Sequence, residues 1–183
     1  CTAQFRIKNC ELGIKNYDKD ITLFALAWTT TPWTLPSNTA LCVGPKIDYV
    51  VVKGENPYTK IEAYYLLAEA RLAAYAKELG ETPEILWKGK GSDLVGLEYE
   101  QLIPWANPGE GAFKIIPGDY VTTEDGTGIV HIAPTFGADD AFVAKKAGVP
   151  GMVFITKKGE QRPMVDMTGK FFVLEELDDD FVK

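Results

Sequence analysis

The residue types able to do chemistry gather in two stretches. The first is Trp28-Thr29-Thr30-Thr31-Pro32-Trp33-Thr34-Leu35-Pro36-Ser37-Asn38. Its threonines offer hydroxyls, Trp33 an aromatic face, and Asn38 an amide that both donates and accepts. The second runs from Asp125 through Gly126-Thr127-Gly128 to His131, the single histidine of the chain, and on to the carboxylates Asp139 and Asp140. Hydroxyls, an imidazole and a carboxylate can make a compact polar site. They can also form a Thr–His–Asp nucleophilic set. Taken singly each has a plain reading. A strand histidine often serves structure, acidic residues suit a helix N-terminus, and threonines favour strand ends.

Other chemistries fail on spacing. No Gly-rich loop carries Lys-Ser/Thr, so a P-loop is excluded. Gly126-Thr127-Gly128 lacks a third glycine and leads into a strand, so it is not a dinucleotide fingerprint. One histidine and the scattered Cys1, Cys10 and Cys42 give no metal pattern, and no metal is expected. Unpatterned thiols suggest a reducing, cytoplasmic setting, with Cys42 a small core residue. No Gly-x-Ser-x-Gly elbow is present.

The elements that must hold these residues read mostly as strands. Phe5 and Ile7 share a face in residues 2–8, and the apolar run Ile21–Trp28 is a buried strand. Pro32 and Pro36 stop that strand and open a rigid polar loop. Ala40–Val43 and Tyr49–Lys53 are further strands. Thr59–Leu79 reads as a long helix. Thr59-x-x-Glu62 suits a capping box, Gly80 a stop, and Ile61, Tyr65, Leu72, Tyr75, Ala76 and Leu79 form one core stripe. Glu84–Lys88, Leu94–Tyr99 and Phe113–Ile116 read as strands. Tyr120–Thr123 and Gly128–Ala133 form a hairpin around Asp125-Gly126. Asp139–Ala147 is a short helix, acidic at its start and basic at its end. Gly151–Thr156 and Lys170–Leu174 are the final strands. The sum is an α+β fold, mainly β, with a barrel-like core and one long and one short peripheral helix.

The bulk numbers set bounds. The chain has 183 residues, 46% apolar and 25% charged, enough for a single globular domain over 1–183. No window suits a membrane span. The absence of an initiator Met and of a signal peptide suggests a piece excised from a larger protein, with the acidic 175–183 as a linker. A net charge of −7 argues against a broad nucleic-acid face but permits a pocket for one nucleotide end.

Together the two stretches resemble the signatures of the editing (CP1) domain inserted into class I isoleucyl- and valyl-tRNA synthetases. Leu94-Val95-Gly96-Leu97-Glu98-Tyr99 looks like the family's intervening strand. The likeness covers nearly the whole chain in motif order. Leucyl enzymes look different, with an arginine before the proline and no Trp-Thr after it. His131 before Ile-Ala-Pro resembles the isoleucyl version. The resemblance implies a β-barrel-like editing domain that hydrolyses Val-tRNA(Ile) with a positioned water. Alternatives are a valyl-type domain acting on Thr-tRNA(Val) and a non-catalytic module for the tRNA acceptor end. The family's His-Ile-Gly-His and Lys-Met-Ser-Lys-Ser signatures are absent. ATP and Mg²⁺ are therefore expected only in a synthetic core, with no cofactor here. The implied partners are the 3′ aminoacyl end of tRNA(Ile) and the rest of the synthetase chain, in the cytoplasm and without a membrane.

The same resemblance assigns roles. Asp140 would pair with the α-ammonium of the misattached valine. His131 would line the side-chain pocket and exclude isoleucine. Thr29, Thr30, Thr31 and Thr34 would contact the substrate and hold the water. Asn38 would support the loop or touch the terminal adenosine. Trp33 would pack or stack, and backbone groups at Gly126 and Gly128 would meet the adenosine or its phosphate.

Overall fold

The computed structural model describes residues 1–8, 12–56, 58–104, 106–156, 158–165 and 170–171. Cys10, positions 172–174 of the expected last strand and the acidic 175–183 lie outside them. The strands are β1 (Thr2–Arg6), β2 (Leu23–Trp28), β3 (Ala40–Val43), β4 (Asp48–Glu55), β5 (Glu62–Ala68), β6 (Ile85–Lys90), β7 (Lys114–Pro117), β8 (Ile129–Ile132), β9 (Phe154–Ile155) and β10 (Gln161–Arg162). The α-helices are α1 (Ala76–Leu79) and α2 (Ala138–Lys146). None is long and apolar enough to cross a membrane among the described residues.

Among the described residues, β1 to β8 form one mixed sheet, and β9 pairs with β10 in a small second one. β1 runs antiparallel to β2, from Thr2 opposite Trp28 to Arg6 opposite Phe24. The other edge of β2 is divided. β5 pairs with Leu23–Ala25 in parallel, and β8 meets Trp28 through Val130. β8 is antiparallel to β3, which is parallel to β7. Residues 97–100 then bridge β7 back to β1. Ile115 N–H donates to Leu97 O, Tyr99 N–H to Phe113 O, Lys8 N–H to Glu98 O and Glu100 N–H to Arg6 O, at 2.8–2.9 Å. Hydrogen bonds therefore close a ring through β2, β1, residues 97–100, β7, β3 and β8, which is the barrel expected from the sequence.

Alternation fills that ring. Phe5, Leu41, Val43, Tyr99, Ile115 and Ile129 are buried in one cluster. The other faces of β3, β7 and β8 bury Cys42, Ile116 and Ile132 beneath Ala144 of α2. β4 and β5 extend the sheet, with Val50, Val52, Tyr65 and Leu67 in a cluster of their own.

The long helix at Thr59–Leu79 is corrected. Residues 62–68 are β5, followed by a 3-10 segment, Glu69–Tyr75, and the single turn α1. Ala63-Tyr64-Tyr65-Leu66-Leu67-Ala68 has no polar residue for an outer helical face. As a strand with neighbours on both edges, it buries Tyr64 in the barrel and Tyr65 in the adjoining cluster. The hairpin is corrected too, since residues 120–123 form no strand. The turn after them is tied elsewhere. Thr127 O accepts the Ala68 N–H at 2.8 Å and Gly128 O accepts the Tyr49 hydroxyl at 2.6 Å. Gly128 has φ +74°, and a Cβ there would fall 2.4 Å from the Ala68 Cβ, so only glycine fits. Leu94–Tyr99 is not a regular strand. Leu94 closes a 3-10 turn, and Tyr99 and Glu98 make isolated bridges.

Tyr99 seals the barrel beneath the threonine stretch. Its ring meets Phe5 and Phe113 edge-on, at 5.3 and 6.0 Å. Its hydroxyl donates to Asn38 Oδ1 at 2.6 Å. Tyr99→Phe keeps the ring but leaves that buried oxygen unpaired, at a cost of about 1–3 kcal/mol. The expected outcome is a lower urea midpoint with an unchanged m-value.

Candidate active site

β2 and β8 are parallel neighbours, so the segments that leave their C-terminal ends emerge together. Each strand is followed by one of the two polar stretches. After β2, Pro32 starts a 3-10 turn, Pro32–Ser37, where a simple loop is expected from the sequence. Proline suits that first position because its missing N–H would be unpaired there anyway. After β8, a short turn leads into α2, whose first turn carries Asp139 and Asp140. Between them lies a cavity of ≈ 470 Å³ bordered by Thr29, Thr30, Thr31, Trp33, His131 and Asp140. Thr34 also lines it.

The hydroxyls form a chain. Thr29 Oγ1 accepts the Thr31 N–H at 3.0 Å and lies 3.3 Å from Thr31 Oγ1. Thr31 Oγ1 is 3.5 Å from Thr34 Oγ1. Thr34 Oγ1 donates to the Thr31 carbonyl at 2.8 Å and sits 2.9 Å from His131 Nε2. The Thr34 proton is committed to a carbonyl, so Nε2 must be the donor in the second bond. That assigns the Nε2–H tautomer and leaves Nδ1 as an acceptor. Nδ1 is buried and has no partner among the described residues. Burial pushes the His131 pKa down to about 4, so the ring is neutral at pH 7. In that tautomer Nε2 is a donor and the free lone pair lies on the buried Nδ1.

Asp140 is half-buried, and its Oδ2 accepts the Ala133 N–H at 2.8 Å. Burial raises its pKa above the usual carboxylate value and the neighbouring Asp139 adds to this, while the Ala133 bond opposes them. No cation among the described residues pairs with it. A partly desolvated carboxylate in this setting favours a cationic guest.

The remaining expected site residues divide. Trp33, 53% exposed, stands at the cavity mouth. Asn38 is buried behind it. Its Nδ2 donates to Ala40 O at 2.8 Å and reaches Ile132 O at 3.5 Å, and Tyr99 occupies its oxygen. Its amide is spent on the fold. Gly126 and Gly128 lie outside the cavity lining. Gly126 packs on the Trp28 side chain and its carbonyl accepts Arg71 Nε at 2.8 Å. Trp28 and Phe136 line the cavity, although neither is assigned a role from the sequence. The signal for Trp28 is its place at the end of β2, one residue past Ala27 and so on the face opposite the barrel core.

No protein-family model matches the chain. By sequence it is similar to isoleucine–tRNA ligases. It is 60% identical to that of Bacteroides fragilis over 195 residues, which cover 99% of this chain and 17% of the relative. It is 51% identical to that of Porphyromonas gingivalis over 200 residues, 100% of this chain and 17% of the relative. The chain thus spans 17% of the length of these curated relatives. In fold it is similar to the editing domain of the P. falciparum cytosolic leucyl-tRNA synthetase. The TM-score is 0.61 at 17% identity, over 87% of this chain and 76% of that one.

The buried histidine makes stability depend on pH. Its folded pKa of about 4 lies below the ordinary 6.5, so the unfolded chain binds the proton more readily. Its contribution is complete above pH 6.5 and is lost as pH falls toward 4, by about 3 kcal/mol across that window. Asp140, with its raised pKa, acts in the opposite sense. Comparing wild type with His131→Gln therefore isolates the histidine. Urea unfolding at pH 7 and pH 4.5 should show wild type losing more stability than the variant.

Proposed function

This chain belongs to the isoleucyl-tRNA synthetase family, as a segment with the editing-domain fold, and from that premise we propose that its cavity hydrolyses the ester of valine misattached to tRNA(Ile). The observation that carries this reading is the convergence on one cavity of Asp140 and the Thr29–Thr31–Thr34–His131 chain. The physical need is general. A pocket that accepts isoleucine rejects valine weakly, because one methylene is worth only ~1–3 kcal/mol; the isoleucyl enzymes are themselves the standard case of this limit. A second, smaller pocket must then remove what slips through.

Asp140 binds the α-ammonium and so fixes the ester. His131, neutral and held by Thr34, forms a stiff wall that admits valine and excludes the extra methylene of isoleucine. Thr29, Thr30, Thr31 and Thr34 hold the ester and the attacking water. The water oxygen adds to the ester carbonyl carbon, the bond to the ribose oxygen breaks, and that oxygen takes up a proton. Free valine and a deacylated tRNA end leave. An aminoacyl ester is already activated and the adjacent ribose hydroxyl can assist, so no protein general base is required. Trp33 closes the mouth, and Asn38 holds the threonine turn from behind. Gly126 and Gly128, outside the cavity and with their carbonyls bonded to Arg71 and Tyr49, are given no contact with the adenosine in this reading. The reaction uses no cofactor; ATP and Mg²⁺ belong to the synthetic core of the larger chain. The partners are the 3′ aminoacyl end of tRNA(Ile) and the rest of the synthetase.

The test is deacylation of Val-tRNA(Ile) by the full-length synthetase that carries this segment. Asp140→Asn keeps an acceptor for the Ala133 N–H and removes the charge. It should lower kcat/KM about 10- to 100-fold, the loss of one charge-assisted bond. A wild-type rate in this variant removes Asp140 from the role. His131→Ala should begin to hydrolyse correctly charged Ile-tRNA(Ile), and unchanged discrimination counts against the wall. Single-turnover quenching should trap no acyl-threonine.

A further inference from the structure

Arg71 spends its charge on the backbone. It is half-buried in the 3-10 segment Glu69–Tyr75. The chain has 26 acidic residues, yet none among the described ones forms an ion pair with it. Its Nε donates to Gly126 O at 2.8 Å and its Nη1 to Glu124 O at 3.0 Å, and Nη1 reaches toward Thr123 O at 3.5 Å. One planar guanidinium thus holds two carbonyls of the turn before β8 and approaches a third. Bonds from a charged donor are stronger than those between neutral groups. The root of the same turn is tied separately, Thr127 O to the Ala68 N–H and Gly128 O to the Tyr49 hydroxyl.

What lies against this turn connects it to the threonine cavity. Gly126 has φ +65°, and a Cβ built on it falls 3.0 Å from both Cβ and Cε3 of Trp28. The backbone of the turn therefore packs on the indole. Trp28 is 39% exposed and borders the cavity together with Thr29, Thr31 and His131. Arg71 does not line the cavity and touches no guest there. Its route to the site runs through Gly126 and Trp28.

We propose that Arg71 is a positioning residue for the threonine cavity: it holds the Gly126 turn against Trp28 and so fixes the wall that Trp28 gives the guest. The inference rests on the reading of that cavity as an ester-hydrolysing site. Without the guanidinium, the turn keeps its root at Thr127 and Gly128, and residues 123–126 lift from the indole. Trp28 loses the support on that side and the cavity widens at that edge. The ester keeps its contact with Asp140 but is held less tightly, before and during reaction alike. Such a uniform loss of binding raises KM and leaves kcat nearly constant. Lysine does not replace the arginine, because an ammonium is a point charge on a flexible stem and cannot fix several carbonyls in one plane.

The test is a double-mutant cycle in the full-length synthetase, read as KM and kcat for deacylation of Val-tRNA(Ile), with isoleucylation by the synthetic core as the control for folding. Arg71→Met keeps an apolar stem and removes the fork. It should raise KM about fivefold, the size of one lost contact, at nearly constant kcat. Arg71→Lys should stay close to Arg71→Met. Trp28→Ala should raise KM by itself, and adding Arg71→Met to it should raise KM no further, because the route through the indole is already gone. Gly126→Ala pushes a methyl onto the indole without touching Arg71 and should give the same KM rise and the same non-additivity, which keeps the cycle decisive should Arg71→Met fail to fold. Losses that simply multiply in the double variants overturn the role. So does a wild-type KM in Arg71→Met, or a full recovery in Arg71→Lys. Both of these leave the hydrolytic reading standing. A wild type inert on Val-tRNA(Ile) overturns that reading and the role of Arg71 with it.

Discussion

One buried amide organises the pocket end of the molecule. Asn38 is 3% exposed, and its side chain joins parts far apart in the chain. The Tyr99 hydroxyl reaches its oxygen from the segment that closes the barrel, and its nitrogen serves Ala40 O at the start of β3 and Ile132 O at the end of β8. An unpaired amide there would carry the full desolvation cost, so these partners must arrive together. Once they do, the 3-10 turn before Asn38 has a fixed end. Thr29, Thr31 and Thr34 before it line the cavity beside β8.

The rigidity of that wall has a second source. His131 lies in a strand paired to β3, opposite Leu41, and its ring is locked by Thr34. Its neutrality follows from burial alone, with no opposing charge needed. A neutral, donor-bearing imidazole is a good fixed surface for apolar discrimination and a poor proton acceptor at Nε2. The same burial makes the ring a weaker base than an exposed imidazole. Under the proposed function, hydrolysis would rest on positioning and on the reactivity of the substrate ester.

Electrostatics divides the labour between the two stretches. The threonine turn is neutral and offers hydroxyl dipoles. The stretch after β8 brings one partly desolvated carboxylate on the first turn of α2, where helix N-terminal amides moderate its charge. A cation entering the cavity meets Asp140 on one side and uncharged hydroxyls on the other. Under the proposed function, that asymmetry would give an amino-acid ester one orientation. The acidic character of the chain, −7 overall, disfavours a broad phosphate-binding face.

The sequence by itself determined the local terms. Pro32 and Pro36 had to end β2, because each lacks a donor and has a fixed φ. α2 could be read from its acidic start, basic end and Gly148. The strands β1, β2, β3, β4 and β7 followed from alternation or short apolar runs. The two polar stretches could be paired as one site only through their resemblance to a family, since 97 residues separate Thr34 from His131. Tertiary structure decided the rest. β5 carries a helix-like stripe, yet every residue from Ala63 to Ala68 is buried, and only strand neighbours on both edges can cover both faces. The turn at Gly126–Gly128 has hairpin residues, but Tyr49, Ala68 and Arg71 claim its carbonyls, so β8 pairs with β3 instead. The amide of Asn38 points inward for the same reason. Whether a polar side chain serves a ligand or the fold depends on which partner reaches it first in space, and that information is not local in the chain.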